Sequence, residues 1–320
     1  MRIFMAPMEG VIDHHMRKLL PSIGGIDMSV TEFIRVTDHL LPPKVFYKYC
    51  PELLNTSGTD VNKQQIPVRI QLLGSNASAL ADNAKRAATL GACGIDLNFG
   101  CPAKTVNRHR GGACLLDDTD SIYRIVAAVR AAVPMAIPVT AKIRLGYTDR
   151  LSYLRNSEAI EAAGASELFV HARSKTDGYK PPAYWSYIGE INEKLKIPVI
   201  ANGEIWTFED YEQCRRESGC EDFMLGRGLL ADPGLARKIK ASHEGQTPQE
   251  MSWSETVPLL LALYRETSTA YPAKFIGNRA KQWLHYLKRH YCEANKLFDE
   301  IKRSRDYDEM DRAIQQSHCG

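Results

Sequence analysis

One cysteine is presented in a setting that favours chemistry over packing. The segment Gly94-Ile95-Asp96-Leu97-Asn98-Phe99-Gly100-Cys101-Pro102 runs from an apolar strand pattern straight into a loop. Gly100 lets the backbone turn sharply, and Pro102 removes an N–H and fixes the exit direction. Asn98 lies three residues before the thiol, close enough to orient a polar ligand beside it. Small and basic residues follow: Lys104, Asn107, Arg108, His109, Arg110, Gly111 and Gly112. A thiol so placed can serve as a nucleophile or a proton donor, and a small half-buried packing residue is the plainer alternative. Cys93 and Cys114 flank the motif and read as core residues without chemistry of their own.

The elements that must hold this loop form a regular beat. Short apolar runs at 3–8, 28–31, Val68–Leu73, 95–99, Val139–Arg144, 168–172, Val199–Asn202 and 223–226 read as strands. Amphipathic stretches at 77–90, 121–133, 155–163 and 208–217 read as helices between them. Eight strands with intervening helices predict an α/β chain of (β/α)8 barrel type, a TIM barrel, rather than a doubly wound open sheet. Residues 33–66 give no clear second helix. Functional side chains of such barrels sit at the C-terminal strand ends. Here those ends carry Ala6, Pro7, Met8, Glu9, Glu32, Gln71, Asn98, Lys142, Arg144, His171, Arg173, Asn202-Gly203-Glu204 and Gly226-Arg227-Gly228.

Composition bounds the rest. The chain has 320 residues, 44% of them hydrophobic, enough for a full core, and its net charge of +3 neither demands nor excludes nucleic acid. No apolar run approaches the ~20 residues of a membrane span, and the N-terminus lacks a signal peptide's apolar core. None of the eight cysteines forms a C-x-x-C pair. Their irregular spacing argues against a metal site or a disulfide framework and for free thiols in the cytoplasm. The polar stretch 243–251 reads as a linker, dividing a barrel at 1–243 from an all-helical domain at 244–320. In the latter, Ala280, Trp283, Leu284, Leu287 and Tyr291 form one apolar stripe. Between residues 271 and 305, nine Lys/Arg oppose three Asp/Glu. A basic helical module of this kind suits a polyanion, and a solvated helix surface is the alternative.

Two glycine-containing turns at successive late strands, around Gly203 and Gly226, match the phosphate site of this architecture, with Arg227 adding charge. Lys142 is expensive to bury inside a strand without an anionic partner. It could form a Schiff base or stand as a cation beside an electron-rich ring. With Gln71 and the Ala6-Pro7-Met8 turn nearby, the group best fits flavin mononucleotide, FMN. Pro7 and Met8 would then line the ring, and Gln71 would bond its polar edge.

Taken together, Ala6-Pro7-Met8-Glu9-Gly10, Thr31-Glu32-Phe33, Gln71-Leu72-Leu73-Gly74, Asp96 through Pro102, Lys142-Ile143-Arg144, Val170-His171-Ala172-Arg173, Asn202-Gly203-Glu204-Ile205 and Gly226-Arg227-Gly228 resemble the tRNA-dihydrouridine synthase family along essentially the whole chain. Phe33-Ile34-Arg35-Val36 and Lys281-Gln282-Trp283-Leu284 resemble its bacterial C-type branch, which modifies uridine 16 of the D-loop. The resemblance implies that NADPH reduces the flavin, that hydride passes from N5 to C6 of a uracil, and that Cys101 protonates C5 from the other face. It implies that Ala6, Pro7, Met8, Glu9, Gln71, Lys142, His171, Asn202, Gly203, Glu204, Gly226 and Arg227 bind FMN. It places Asn98, Arg173 and Tyr179 at the nucleotide, and Arg35, Arg279, Lys281, Tyr286 and Lys302 on tRNA. No metal or membrane partner is implied, and a monomer is expected. The segment Asn107-Arg108-His109-Arg110 departs from the glycine-rich run of many relatives, being bulkier and more basic. A flavin barrel reducing a free pyrimidine, and a non-enzymatic tRNA-binding or folding module, are the alternative readings.

Overall fold

A computed structural model describes residues 1–55, 66–108 and 110–319. His109, from the basic loop, lies outside them. Eight parallel strands close on themselves: β1 (Ile3–Met5), β2 (Met28–Val30), β3 (Val68–Leu73), β4 (Ile95–Asn98), β5 (Val139–Arg144), β6 (Glu167–His171), β7 (Val199–Asn202) and β8 (Asp222–Leu225). Each pairs with its neighbour, and β8 pairs with β1, for example Phe4 with Met224, so the barrel has no open edge. A two-residue strand, Ile34–Arg35, adds alongside the end of β3.

Local sequence explains the helices between strands. Asn76 accepts the Ala79 N–H at 3.1 Å and starts helix Ala77–Thr89, whose Leu80, Ala84 and Ala87 recur at helical spacing on the buried side. Asp118 does the same for Ser121 N–H at 3.0 Å in helix Thr119–Ala132. Helices Tyr153–Ala162, Trp185–Lys194 and Phe208–Ser218 follow β5, β6 and β7. The 33–66 stretch does hold a second helix, Pro43–Tyr49, where the sequence pattern shows none. Its prolines start the helix rather than break it, since Pro43 occupies the first turn, where an N–H has no intrahelical partner.

The barrel interior is filled. Phe4, Ala6, Val30, Phe169, Ile200 and Met224 form one buried cluster, with Phe4 and Phe169 edge to face at 5.0 Å. At the N-terminal strand ends lies an ion network. Arg2 reaches Asp222 at 2.6 Å and Glu167 at 2.5 Å, and buried Arg69 binds the other Glu167 oxygen. The Arg69 guanidinium also lies 5.5 Å from the Phe4 ring centroid and 5.9 Å from that of Phe169.

The residues fall into two compact units. The first holds the barrel; the second gathers residues 15–25, 206–208 and the chain from Arg227 onward, upstream of the division read from composition. The second unit is helical, with Trp253–Ala270, Asn278–Leu287, Cys292–Ile301 and Tyr307–Gln316 as its main elements. Ser252 and Glu255 form a reciprocal capping box at the start of the longest helix. The stripe Ala280, Trp283, Leu284, Leu287 and Tyr291 is buried. Tyr291 lies just past its helix and donates to the Met251 carbonyl at 2.9 Å. Among the described residues, no helix is long and apolar enough to cross a membrane.

Candidate active site

The alternation of β4 and β5 sends Asp96 and Asn98, and Lys142 and Arg144, to the same side of their strands. Strand register sets Gln71 opposite Asp96, Asn98 opposite Lys142, Arg144 opposite His171, and His171 opposite Asn202. Residues up to 131 positions apart in sequence, Gln71 to Asn202, thus share one C-terminal rim.

The cysteine loop is held from two sides. Asn98 Oδ1 accepts the N–H groups of Gly100 and Cys101, both at 2.9 Å. Arg144 Nε donates to the Gly100 carbonyl at 2.9 Å, and its Nη1 reaches the Ser174 and Gly178 carbonyls at 3.1 Å. The Arg144 guanidinium lies 5.2 Å from the ring centroid of exposed Tyr179, and His171 meets that ring edge-on at 6.3 Å. The sequence marks Arg144 only as a rim cation; here it ties the Cys101 loop to the Tyr179 loop. Cys101 is 9% exposed, packed with Leu73 and Val106. Burial, with a smaller push from the Glu9 charge, raises the thiol above its ordinary range, so it stays protonated at neutral pH. A buried thiol of that kind is a poor nucleophile but still carries a proton to give.

Lys142 is the cation of the rim. Its Nζ donates to Asn202 Oδ1 at 2.9 Å, and Asn202 Nδ2 donates to the Met224 carbonyl at 2.7 Å. Among the described residues, no carboxylate lies within ion-pair distance of Lys142. Burial, and then the Arg144 charge, pull its pKa down to about 8, with Asp96 pulling weakly the other way. Gly203, at φ +112°, turns directly after Asn202, and a Cβ there would meet His171 Nε2 at 3.2 Å. A Cβ on Gly226 would touch Ala6 Cβ and Met8 Sδ at 3.5 Å. These residues fit a flavin: an incompletely neutralised cation faces the rim, and side-chain-free turns lie beside His171 at Gly203 and beside Ala6 and Met8 at Gly226.

The remaining expected site residues have the following surroundings. Gln71 is fully buried, its amide donating to Asp96 at 2.7 Å and accepting from Asn98 at 2.8 Å. Arg173 is fully buried, bonded to the Pro182 carbonyl at 3.1 Å and ion-paired with Glu204 at 2.8 Å, because the strand-end turn folds it inward. Pro7 is half-buried, Glu9 exposed, and Arg35 exposed on the short added strand. In the helical unit, Arg227 lies 4.7 Å from the Trp206 ring centroid and Arg289 3.8 Å from it. There Lys281 Nζ is 2.5 Å from the Ser304 carbonyl, Arg279 bonds Gln282, Lys302 pairs with Asp299 at 2.8 Å, and Tyr286 packs edge-on with His285 at 6.0 Å. Asp232, Glu250 and His290 also converge in that unit, but Lys238 supplies the cation there, 2.7 Å from Asp232. Asp96 is absent from the site residues expected from sequence. A carboxylate two residues before Asn98 in an otherwise apolar strand was the available signal.

A closed parallel barrel with this rim defines an enzyme whose chemistry lies at the C-terminal strand ends. A family model described as dihydrouridine synthase matches residues 4–318. A tRNA-dihydrouridine(16) synthase of Aquipseudomonas alcaligenes is 49% identical over 98% of this chain and 99% of its own. One from Shewanella oneidensis is 50% identical over 99% and 98%. In fold, an old yellow enzyme homologue from Zymomonas mobilis aligns at TM-score 0.51 and 13% identity, covering 79% of this chain and 91% of its own. The chain belongs to the dihydrouridine synthase family, whose members are FMN-dependent oxidoreductases.

Proposed function

We propose that this enzyme reduces the C5=C6 bond of uridine 16 in the D-loop of tRNA, using FMN reduced by NADPH. The target position rests on the names of relatives about half identical over nearly the full length. The observation that carries the reaction is Cys101, a protonated thiol whose loop Asn98 and Arg144 hold on the same rim as Lys142. When bound, FMN supplies the hydride equivalent that adds to C6. Lys142, Asn202, Gly203, His171, Glu204, Gly226, Arg227, Gln71 and the Ala6–Glu9 turn hold and tune it, Lys142 as the countercharge. Asn98, with two acceptor bonds and one donor bond already made, keeps its second Nδ2 hydrogen for a uracil oxygen. Cys101 Sγ gives its proton to C5, and Arg144 keeps the loop at that height. A base must leave its stack to reach this rim. Arg173 acts through Glu204, and Tyr179 offers an exposed ring for stacking.

Residues 244–320 bring the tRNA: Arg279, Lys281, Tyr286 and Lys302 stand in a region of local positive excess, and Arg35 of the barrel adds to them. The enzyme acts as a cytoplasmic monomer without a metal. Replacing Cys101 by alanine is expected to leave tRNA affinity unchanged and lower the dihydrouridine formation rate by about 10²–10⁴-fold, the usual scale of a general acid. Undiminished modification would remove Cys101 as the acid. Reduction of free uracil with intact tRNA left untouched would make the enzyme a small-molecule reductase.

A further inference from the structure

Beneath the cysteine loop runs a chain of hydrogen bonds whose polarity is fixed at both ends. At the upper end, the Gly100 and Cys101 N–H groups can only donate, so the Asn98 atom facing them is its oxygen. Asn98 Nδ2 therefore faces Gln71, 2.8 Å away, and the Gln71 atom receiving it is Oε1. Gln71 Nε2 is thereby left to donate to Asp96 Oδ2 at 2.7 Å. Asp96 is wholly buried and takes a second bond from Thr140 Oγ1 at 2.7 Å on its other oxygen. An amide at position 71 or 98 turned the wrong way would set oxygen against oxygen. Each of these side chains lies on a barrel strand, on rigid backbone rather than a loop.

We infer that Asp96 is a positioning residue for the reacting thiol: through Gln71 and then Asn98 it fixes which way both amides point, and so holds the Cys101 loop in register. The inference rests on the proposed role of Cys101 for its functional meaning, and on the hydrogen-bond chain alone for its geometry. Asp96 touches neither the loop nor the reacting atoms. Its action is to be an obligate acceptor at the lower end of a chain whose upper end is set by the two loop N–H groups.

The polarity can be moved. In Asn98→Asp, two carboxylates bracket the Gln71 amide, whose oxygen must then face one of them, and the chain breaks. Adding Asp96→Asn lets Gln71 turn over. It then donates to the carboxylate at position 98 and accepts from the amide at position 96, and the chain closes with its charge at the opposite end. Asp96→Asn alone keeps an oxygen toward Gln71 and satisfies the original order. The readout is the alkylation rate of Cys101 by iodoacetamide in the flavin-loaded protein, resolved from the other cysteines by peptide mass spectrometry. This reports the loop's position without requiring turnover. Asn98→Asp is expected to raise the rate by about fivefold, the opening shift that losing one hydrogen bond gives. The double variant and Asp96→Asn should return it to within about twofold of the parent, on the same scale. Asn98→Asp at the parental rate, or a double variant no closer to the parent than the single one, would overturn the inference. Should Asn98→Asp not fold, Asp96→Leu against Asp96→Asn poses the same question. The leucine accepts nothing and should release the loop, and equal rates for the two overturn the inference. Failure of the relay and failure of the acid role are separable. Cys101→Ala that still modifies tRNA removes the acid and leaves these rates as they are.

Discussion

The two ends of the barrel neutralise their buried charges to different degrees. At the N-terminal end, Arg69 is buried against Glu167, which also binds Arg2, and Arg2 in turn binds Asp222. Each of these four charges has an opposite partner. At the C-terminal end Arg173 is paired with Glu204, but among the described residues Lys142 has only the neutral Asn202 amide, Arg144 has backbone carbonyls and the Tyr179 ring, and Asp96 has Gln71 and Thr140. Burial raises Asp96 above the usual carboxylate range and lowers Lys142 and Arg144. The closed end is built for stability. The open end carries an electrostatic deficit that a ligand can relieve, which is where a catalytic site stores its preorganisation.

If the closed end is structural, removing its shared carboxylate should be the costliest change. Glu167→Ala leaves Arg69 buried and unpaired, and is expected to lower the unfolding free energy by about 3–5 kcal/mol. Urea denaturation measures it, and a loss well under that range would mean the network is ornamental. Lys142→Met should do the reverse at the other end. Removing an under-compensated cation is expected to stabilise the flavin-free protein by about 1–3 kcal/mol while weakening FMN binding. Thermal unfolding and fluorescence titration separate the two effects, and a destabilised apoprotein would contradict the deficit.

The same deficit predicts a pH dependence. Lys142 titrates lower in the folded chain than in the unfolded one, so the unfolded chain binds more protons from about pH 8 upward to the ordinary lysine range. Apoprotein stability should therefore gain from this group as pH rises through that window. FMN affinity should fall over the same rise, by about tenfold from pH 7 to 9, as the cation is lost. A flat affinity profile in the parent, or an unchanged slope in Lys142→Met, would take the lysine out of flavin binding. The smallest effect belongs to Arg2, which is partly exposed and leaves the Arg69–Glu167 pair intact when removed. Arg2→Met should cost only about 1 kcal/mol, near the upper value for a partly solvated pair.

Much of this is legible in the chain because it depends on short-range order. Short apolar strand runs, the amphipathic helices between them, and the Gly100-Cys101-Pro102 exit are local, and local propensities set them. The helix Pro43–Tyr49 is not legible, since a proline at the first turn and a proline ending an element look alike in sequence. Nor is the fate of Gln71 and Arg173. Both sit at strand ends that face a rim, yet both are buried, because partners on other strands and turns, Asp96 and Glu204, draw them inward.

The residue types and their spacing established the barrel, the loop cysteine, the strand lysine and the family resemblance, because each is written within a few consecutive positions. Long-range register settled the rest. Closing β8 onto β1 brought the eight strand ends to one rim, and pairing Asn98 with Lys142 and His171 with Asn202 placed thiol, cation and glycine turn on it together. No single stretch of chain encodes that Asp96, through two amides, holds Cys101. It arises only when β3, β4 and β5 lie side by side.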